Sequence, residues 1–193
     1  LSDDFRTKWN PNAGVLISSS SIDPTVVAAD ELQLSVSVSA SIDGDGHYSI
    51  ADVSHTQQLT FEFQKDSKGE WRISSAPDGT ILPPSRFGTI FKPYDLYFFD
   101  PTFQYLVPDR RRYARFTQVS TRIVRALLAG PPDWLQGVVV TAFPGGTDLT
   151  GAPVIDSSRA TVDLTSQVSS ESGTGKRRMT QQLAQSLSSL GSP

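Results

Sequence analysis

YDLYFFDPTFQYLVPDRRRYARFTQVSTRIVRALLAGPPDWL, residues 94–135, is the stretch whose reading decides the fold. Leu96 and Phe98 alternate with Tyr97 and Phe99, a period of two that predicts a strand over 94–99. Asp100-Pro101 then signals a turn, because proline fixes its own φ and drives the preceding residue out of the helical region. A second short strand, 104–107, pairs back antiparallel, and Pro108 stops it because it has no amide hydrogen to donate. Beyond the basic run 110–115 the period changes. Val119, Ile123, Val124, Leu127 and Leu128 fall at i, i+4, i+5, i+8 and i+9, with Gln118, Arg122, Arg125 and Ala129 on the other side. That is a helix with one apolar stripe, and Gly130 followed by Pro131-Pro132 ends it. The unit is strand, turn, strand, then a helix laid on the sheet they start, with no catalytic constellation in it.

Upstream the text is mostly β. Phe5 and Trp9 form an i, i+4 pair that predicts the last turns of a helix beginning before Leu1, ended by Asn10-Pro11-Asn12. From Val15 onward strands take over. Over 33–42, Leu34, Val36, Val38, Ala40 and Ile42 alternate strictly with Gln33 and four serines, as in an antiparallel strand wet on one face. Asp43-Gly44-Asp45-Gly46 signals a hairpin, with 48–53 as the return strand. Leu59, Phe61 and Phe63 predict a third strand, and the turn 66–69 leads to a fourth through Trp71 and Ile73. Ala76-Pro77-Asp78-Gly79 and Pro83-Pro84 frame a short linker, and 85–91 predicts a short helix with Phe87, Ile90 and Phe91 facing a core. Downstream of the deciding stretch, the β-branched run 138–143 predicts a buried strand, and Gly145-Gly146-Thr147 turns the chain. Val154-Ile155 is too short to assign alone. Ala160, Val162 and Leu164 alternate as a strand, 165–175 reads as a loop, and 176–190 as a final helix through Met179, Leu183, Leu187 and Leu190. The fold class is therefore α+β: a curved antiparallel-sheet domain over 1–82, then a second α+β domain over 83–193.

Composition narrows the function classes. A hydrophobic content of 37% supports a packed core. The formal net charge of −3 is too mild to point to nucleic acid as a partner. No apolar run approaches the ~20 residues of a membrane-spanning helix. Cysteine is absent, which removes disulfides, thiolate metal sites and cysteine nucleophiles from this chain. It opens at Leu1 without an initiator methionine, as expected of an excised fragment or a processed product.

Each candidate for chemistry has a plainer reading. Gly173-Thr174-Gly175-Lys176 lacks both the earlier glycine and the following Ser or Thr of a phosphate loop, for Ser170 and Arg177 stand there. Asp43-Gly44-Asp45-Gly46 opens like a calcium loop, but His47 and Ser54 occupy later ligand positions. His47 and His55 are the only histidines, too few for a zinc site without cysteine. No serine sits in a Gly-x-Ser-x-Gly turn. Asp52, Glu62, Asp95, Asp100, Asp109 and Asp163 lie in or beside strands, where turn formation alone collects aspartate. The dense feature is Arg110, Arg111, Arg112 and Arg115. They read either as a contact for an acidic partner surface, lipid head groups or wall polymer, or as a solvated connection with an arginine paired to Asp109 or Asp100. The expectation is a chain that is not an enzyme and takes no metal or cofactor.

The text "LYFFDPTFQYLVPDRRR", then "VRALLAGPPDWLQGVVVTAFPGGTDL", then "ATVDLT" resembles the GerMN domain of spore-germination proteins. With a region like 1–82 in front, the whole resembles the LpqB lipoprotein family of actinobacteria. That resemblance implies a cone-shaped first domain like nuclear transport factor two, truncated at its start, with apolar sheet surface left uncovered. It also implies a lipidated cysteine upstream as the sole membrane attachment, a β-propeller downstream, and a place on the outer face of the cell membrane. The implied function is a non-enzymatic accessory lipoprotein that binds and modulates the extracellular domain of the sensor kinase of the Mtr two-component system. The alternative is a module for a cell-wall or small ligand, a glycan, peptide or lipid, lined by aromatics such as Trp71, Tyr97, Tyr105 and Trp134.

Overall fold

The computed structural model describes residues 1–20, 22–115, 118–156 and 159–190. The chain forms two compact units, Leu1–Phe91 and Lys92–Pro193. The first begins with one helical turn, α1 (Asp3–Arg6), whose start is fixed by the Ser2 side chain accepting from the Phe5 amide. The Phe5/Trp9 pair therefore does not end a longer helix, because Ser2 occupies the capping position at its N-terminus.

The sheet of this unit comprises β1 (Gly14–Ser18), β2 (Pro24–Ala28), β3 (Glu31–Asp43), β4 (Tyr48–Lys65), β5 (Trp71–Ser75) and β6 (Thr80–Leu82). Their order is β5-β4-β3-β1-β6, with β2 also paired to β3. The serine alternation of β3 holds: Val36, Val38, Ala40 and Ile42 are buried and the serines are not. The two strands expected over 48–53 and 59–63 are one strand of 18 residues. The registry explains it. Pairing jumps from Val38↔His55 to Ala40↔Ile50, so residues 51–54 stand opposite Ser39 alone. This large bulge bends β4 and pushes Val53 out to 80% exposure, so a polar interruption in the text does not break the strand. The helix expected at 85–91 is α2 (Pro84–Ile90), and Phe87 packs it onto Val15, Ile17, Ala40 and Ile42. The sequence division at 82/83 placed this helix in the second domain; the apolar contact of Phe87 keeps it in the first.

The second unit holds β7 (Phe91–Phe99), β8 (Leu106–Ala114), α3 (Val119–Ala129), β9 (Val154–Asp156), β10 (Arg159–Thr161) and α4 (Gly173–Leu187). β7 pairs with β8, and β9 with β10. Helix α3 falls where its 3.6 period places it, and Ile123, Val124 and Leu127 are wholly buried against Leu96, Phe98 and Tyr113. Each such side chain contributes about 1.5–3 kcal/mol of apolar burial. Two expectations change here. Pro108 does not stop the strand at 107: β8 runs through it, because a two-stranded ribbon leaves Pro108 on an open edge. The basic run is thus a strand, not a connection. Residues 138–143 are not a strand either; they make isolated bridges, Phe99↔Val140 and Gln136↔Val139. Val139 and Phe143 are buried while Val138 is 61% exposed, so the run supplies single side chains to the core. The region 165–175 is not all loop: a 3-10 turn covers Ser166–Ser170, and α4 starts at Gly173 under a Ser172 cap. Met179 and Leu187 of α4 are buried beside Gln182, whose Oε1 accepts from the Ala142 amide at 2.8 Å.

Candidate binding site

The strand geometry of β8 sorts the arginine cluster. Side chains alternate across a strand, so Asp109, Arg111 and Tyr113 turn inward and Arg110 and Arg112 outward. Arg111 is only 4% exposed, and its Nε and Nη2 each lie 2.9 Å from Oδ2 of Asp109, itself 2% exposed. Burial pushes the neighbouring Tyr113 phenol up, and Arg122 stacks 4.6 Å over its ring. Arg110 projects outward but makes a two-point contact with Asp95 on β7, Nε to Oδ1 at 2.7 Å and Nη2 to Oδ2 at 3.0 Å. The bonds from Arg110 hold the Asp95 carboxyl below its usual range and push the guanidinium up. Arg112 is half-buried and Arg115, just past the strand, is exposed. The four arginines therefore do not form one basic patch. Nothing in the text distinguished them except the strand period, which the proline concealed.

The carboxylates are engaged in the same way. Asp100 closes the β7–β8 turn, accepting from the amides of Thr102, Gln104 and Tyr105 at 3.0, 2.7 and 2.7 Å and from the Thr102 hydroxyl. The Thr102 hydroxyl and these amides lower its pKa to about 2. The same turn holds Phe103 at φ 59°. Asp43 caps the β3–β4 hairpin: Oδ1 accepts from the Asp45 and His47 amides at 2.9 Å, and Oδ2 lies 3.0 Å from His47 Nδ1. Burial pushes the Asp43 carboxyl up, but the His47 and Asp45 bonds outweigh it and hold it below its usual range. His55 sits in mid-β4, opposite Val38. Asp52 lies in the bulge and Glu62 faces Glu31 across the strands, while the Asp163 carbonyl accepts from Thr150. Among the described residues no group of three or more His, Asp or Glu could hold a metal ion. Gly175 lies in the first turn of α4, where its amide is capped by Ser172 Oγ at 3.0 Å. Of the aromatics, Trp71, Tyr105 and Trp134 are exposed and Tyr97 is half-buried.

The first unit contains a feature no motif announced, a cavity of about 620 Å³. One wall is sheet: Leu16, Leu59, Phe61, Ile73 and Ile81. The other is the N-terminal segment, through Phe5 and Trp9. The signal in the text was the Phe5/Trp9 pair itself, two large apolar side chains ahead of a run of strands.

Comparison with known proteins gives the ancestry of both halves. Residues 1–88 match the family described as "Lipoprotein LpqB, N-terminal domain", and residues 95–193 match "Sporulation and spore germination". The chain belongs to the LpqB lipoprotein family, its second half to the sporulation and spore germination family. It is similar to "Lipoprotein LpqB" of Cutibacterium acnes, 28% identical over 97% of this chain and 32% of that protein. The namesake from Thermobifida fusca is 37% identical over 58% of this chain and 18% of the relative. That of Mycolicibacterium smegmatis is 33% identical over 68% and 23%. The chain thus spans about a third or less of the relatives it matches. Among solved structures, the tandem GerMN domains of the sporulation protein GerM from Bacillus subtilis align at 21% identity and a TM-score of 0.41, over 54% of this chain and 36% of that one.

Proposed function

We propose that this chain is a non-enzymatic recognition module of a cell-envelope lipoprotein, and that it binds and modulates the extracellular domain of the Mtr sensor kinase. It works at the outer face of the membrane, held there by a lipid anchor upstream and continued by a β-propeller downstream. One observation carries the reading: the charged groups best suited to chemistry are tied into turns and strand pairs. Asp100 and Asp43 hold turns, Asp95 holds Arg110, and Asp109 holds Arg111. What the surface offers instead is shape and exposed apolar side chains such as Val26, Ile50 and Val53. Of the arginines expected to meet an acidic partner surface, Arg115 is exposed and Arg110 is 69% exposed while paired with Asp95, whereas Arg111 is buried. Modulation requires that the module bind two kinase states with different affinity. The test is calorimetric or surface-based titration of this chain against the kinase extracellular domain. Saturable association supports the reading, and no association at high micromolar concentration sinks it.

A second reading, a wall or small-ligand binder, is favoured by the 620 Å³ cavity, which lies within the ~300–1,000 Å³ range of small-molecule pockets. A thermal-shift screen with wall fragments separates the two, since a ligand that binds only the folded state raises Tm.

A further inference from the structure

We infer that the cavity between the N-terminal segment and the sheet of the first unit takes a single hydrocarbon chain of lipid size. The inference deepens the ligand-binding reading and rests on it, and it is independent of the kinase reading.

The segment over this cavity is a strap. At one end the Ser2 amide donates to the Ile73 carbonyl at 2.8 Å. At the other, Trp9 Nε1 donates to the Pro77 carbonyl at 3.0 Å, the Asn10 amide to Asp78 Oδ1 at 2.8 Å, and the Gly79 amide to the Asn10 carbonyl at 2.8 Å. Hydrogen bonds at both ends hold it in place. Its apolar side chains are therefore not needed to dock it: Phe5 and Trp9 line the cavity and stand outside both buried clusters of this unit. Gly79 lets the anchoring turn sit close to β1, for a Cβ there would lie 2.7 Å from the Gly14 carbonyl oxygen.

The lining states the chemistry of the occupant. Leu16, Leu59, Phe61, Ile73, Phe5 and Trp9 present aliphatic and aromatic surface from both walls. Asp78 is the charged side chain of the lining, and its Oδ1 accepts from Asn10. Gln57 and Thr80 add two uncharged polar side chains. A sugar or peptide would leave hydroxyls and amides facing this wall, at the cost of buried unpaired polar groups. Among the side chains of the lining none is cationic. A hydrocarbon chain meets neither penalty and gains apolar burial against both walls.

The experiment titrates this chain calorimetrically with dodecanol, dodecanoate, butanol and a soluble muropeptide. Dodecanol binds one to one at micromolar concentration, at least as tightly as dodecanoate, and butanol binds at least a hundredfold more weakly. Ala76→Trp and Ile73→Phe, both in the lining, each weaken dodecanol at least tenfold, while Val53→Trp in the exposed bulge does not. Thermal unfolding confirms that each variant folds, and either cavity variant alone suffices. Unsaturable or many-to-one uptake of dodecanol, or equal loss in Val53→Trp, overturns the inference. If the muropeptide binds and dodecanol does not, the hydrocarbon assignment fails and the ligand reading stands. If neither binds, both fall.

Discussion

Removing the Arg111 guanidinium while keeping Asp109 tests the sorting of the arginine cluster. Arg111→Met preserves an unbranched side chain of similar length but leaves a carboxylate that is 2% exposed without this partner. Breaking a buried pair from one side costs about 3–5 kcal/mol, because the surviving charge is desolvated and uncompensated. Tyr113 loses a hydrogen-bonding neighbour in the same step. Against a net stability of about 5–15 kcal/mol that loss is severe, at about 4–8 °C of Tm per kcal/mol for a unit of this size. Arg110→Met removes two contacts to Asp95, at 2.7 and 3.0 Å, yet the Arg110 side chain is 69% exposed, so its loss stays below about 1 kcal/mol. The double variant Asp109→Leu/Arg111→Met removes both buried charges and recovers to within about 1 kcal/mol of the wild type or beyond it. Urea unfolding followed by circular dichroism and tryptophan fluorescence reads all three. If Arg111→Met costs no more than Arg110→Met, or the double variant is as unstable as the single, the buried pair is not what holds this strand inward.

Three further outcomes are expected. Asp100 has a folded pKa of about 2 against 3.8 for the free group, so its contribution is complete above about 3.8 and disappears as pH falls toward 2. The stability gap between wild type and Asp100→Asn, measured by denaturant titration, therefore shrinks from pH 5 to pH 2; a gap that widens refutes the assignment. Gly79→Ala forces a side chain onto a φ of +92° and against the Gly14 carbonyl, and loses at least about 1–3 kcal/mol by thermal or urea unfolding. Gln182→Leu keeps the volume in the core of the second unit but deprives the Ala142 amide of its acceptor, which costs about 1–3 kcal/mol and speeds hydrogen exchange at that amide.

Periodicity was the legible part. The alternation in β3, the stripe on α3 and the spacing of Met179, Leu183 and Leu187 on α4 each state a buried face, because every residue reports its own preference for water. Breaks in pattern were less informative. Pro108 reads as a strand end, yet a ribbon of two strands asks no hydrogen bond of its edge. The polar run 51–54 reads as the end of a strand, yet it is absorbed as a bulge opposite Ser39. The run 138–143 is apolar enough for a strand, but among the described residues its pairing is limited to the isolated bridges Phe99↔Val140 and Gln136↔Val139.

By itself the sequence determined the α+β class and the order of most elements, since these follow from local spacing and composition. Only the tertiary structure decided which arginine is buried, which aspartate holds a turn, where α2 belongs, and that the Phe5–Trp9 strap stands over a cavity. Those outcomes depend on which groups meet across many residues of chain, as with Arg110 and Asp95 or Trp9 and Pro77. A residue's chemical type limits its partners, but the path of the backbone chooses among them.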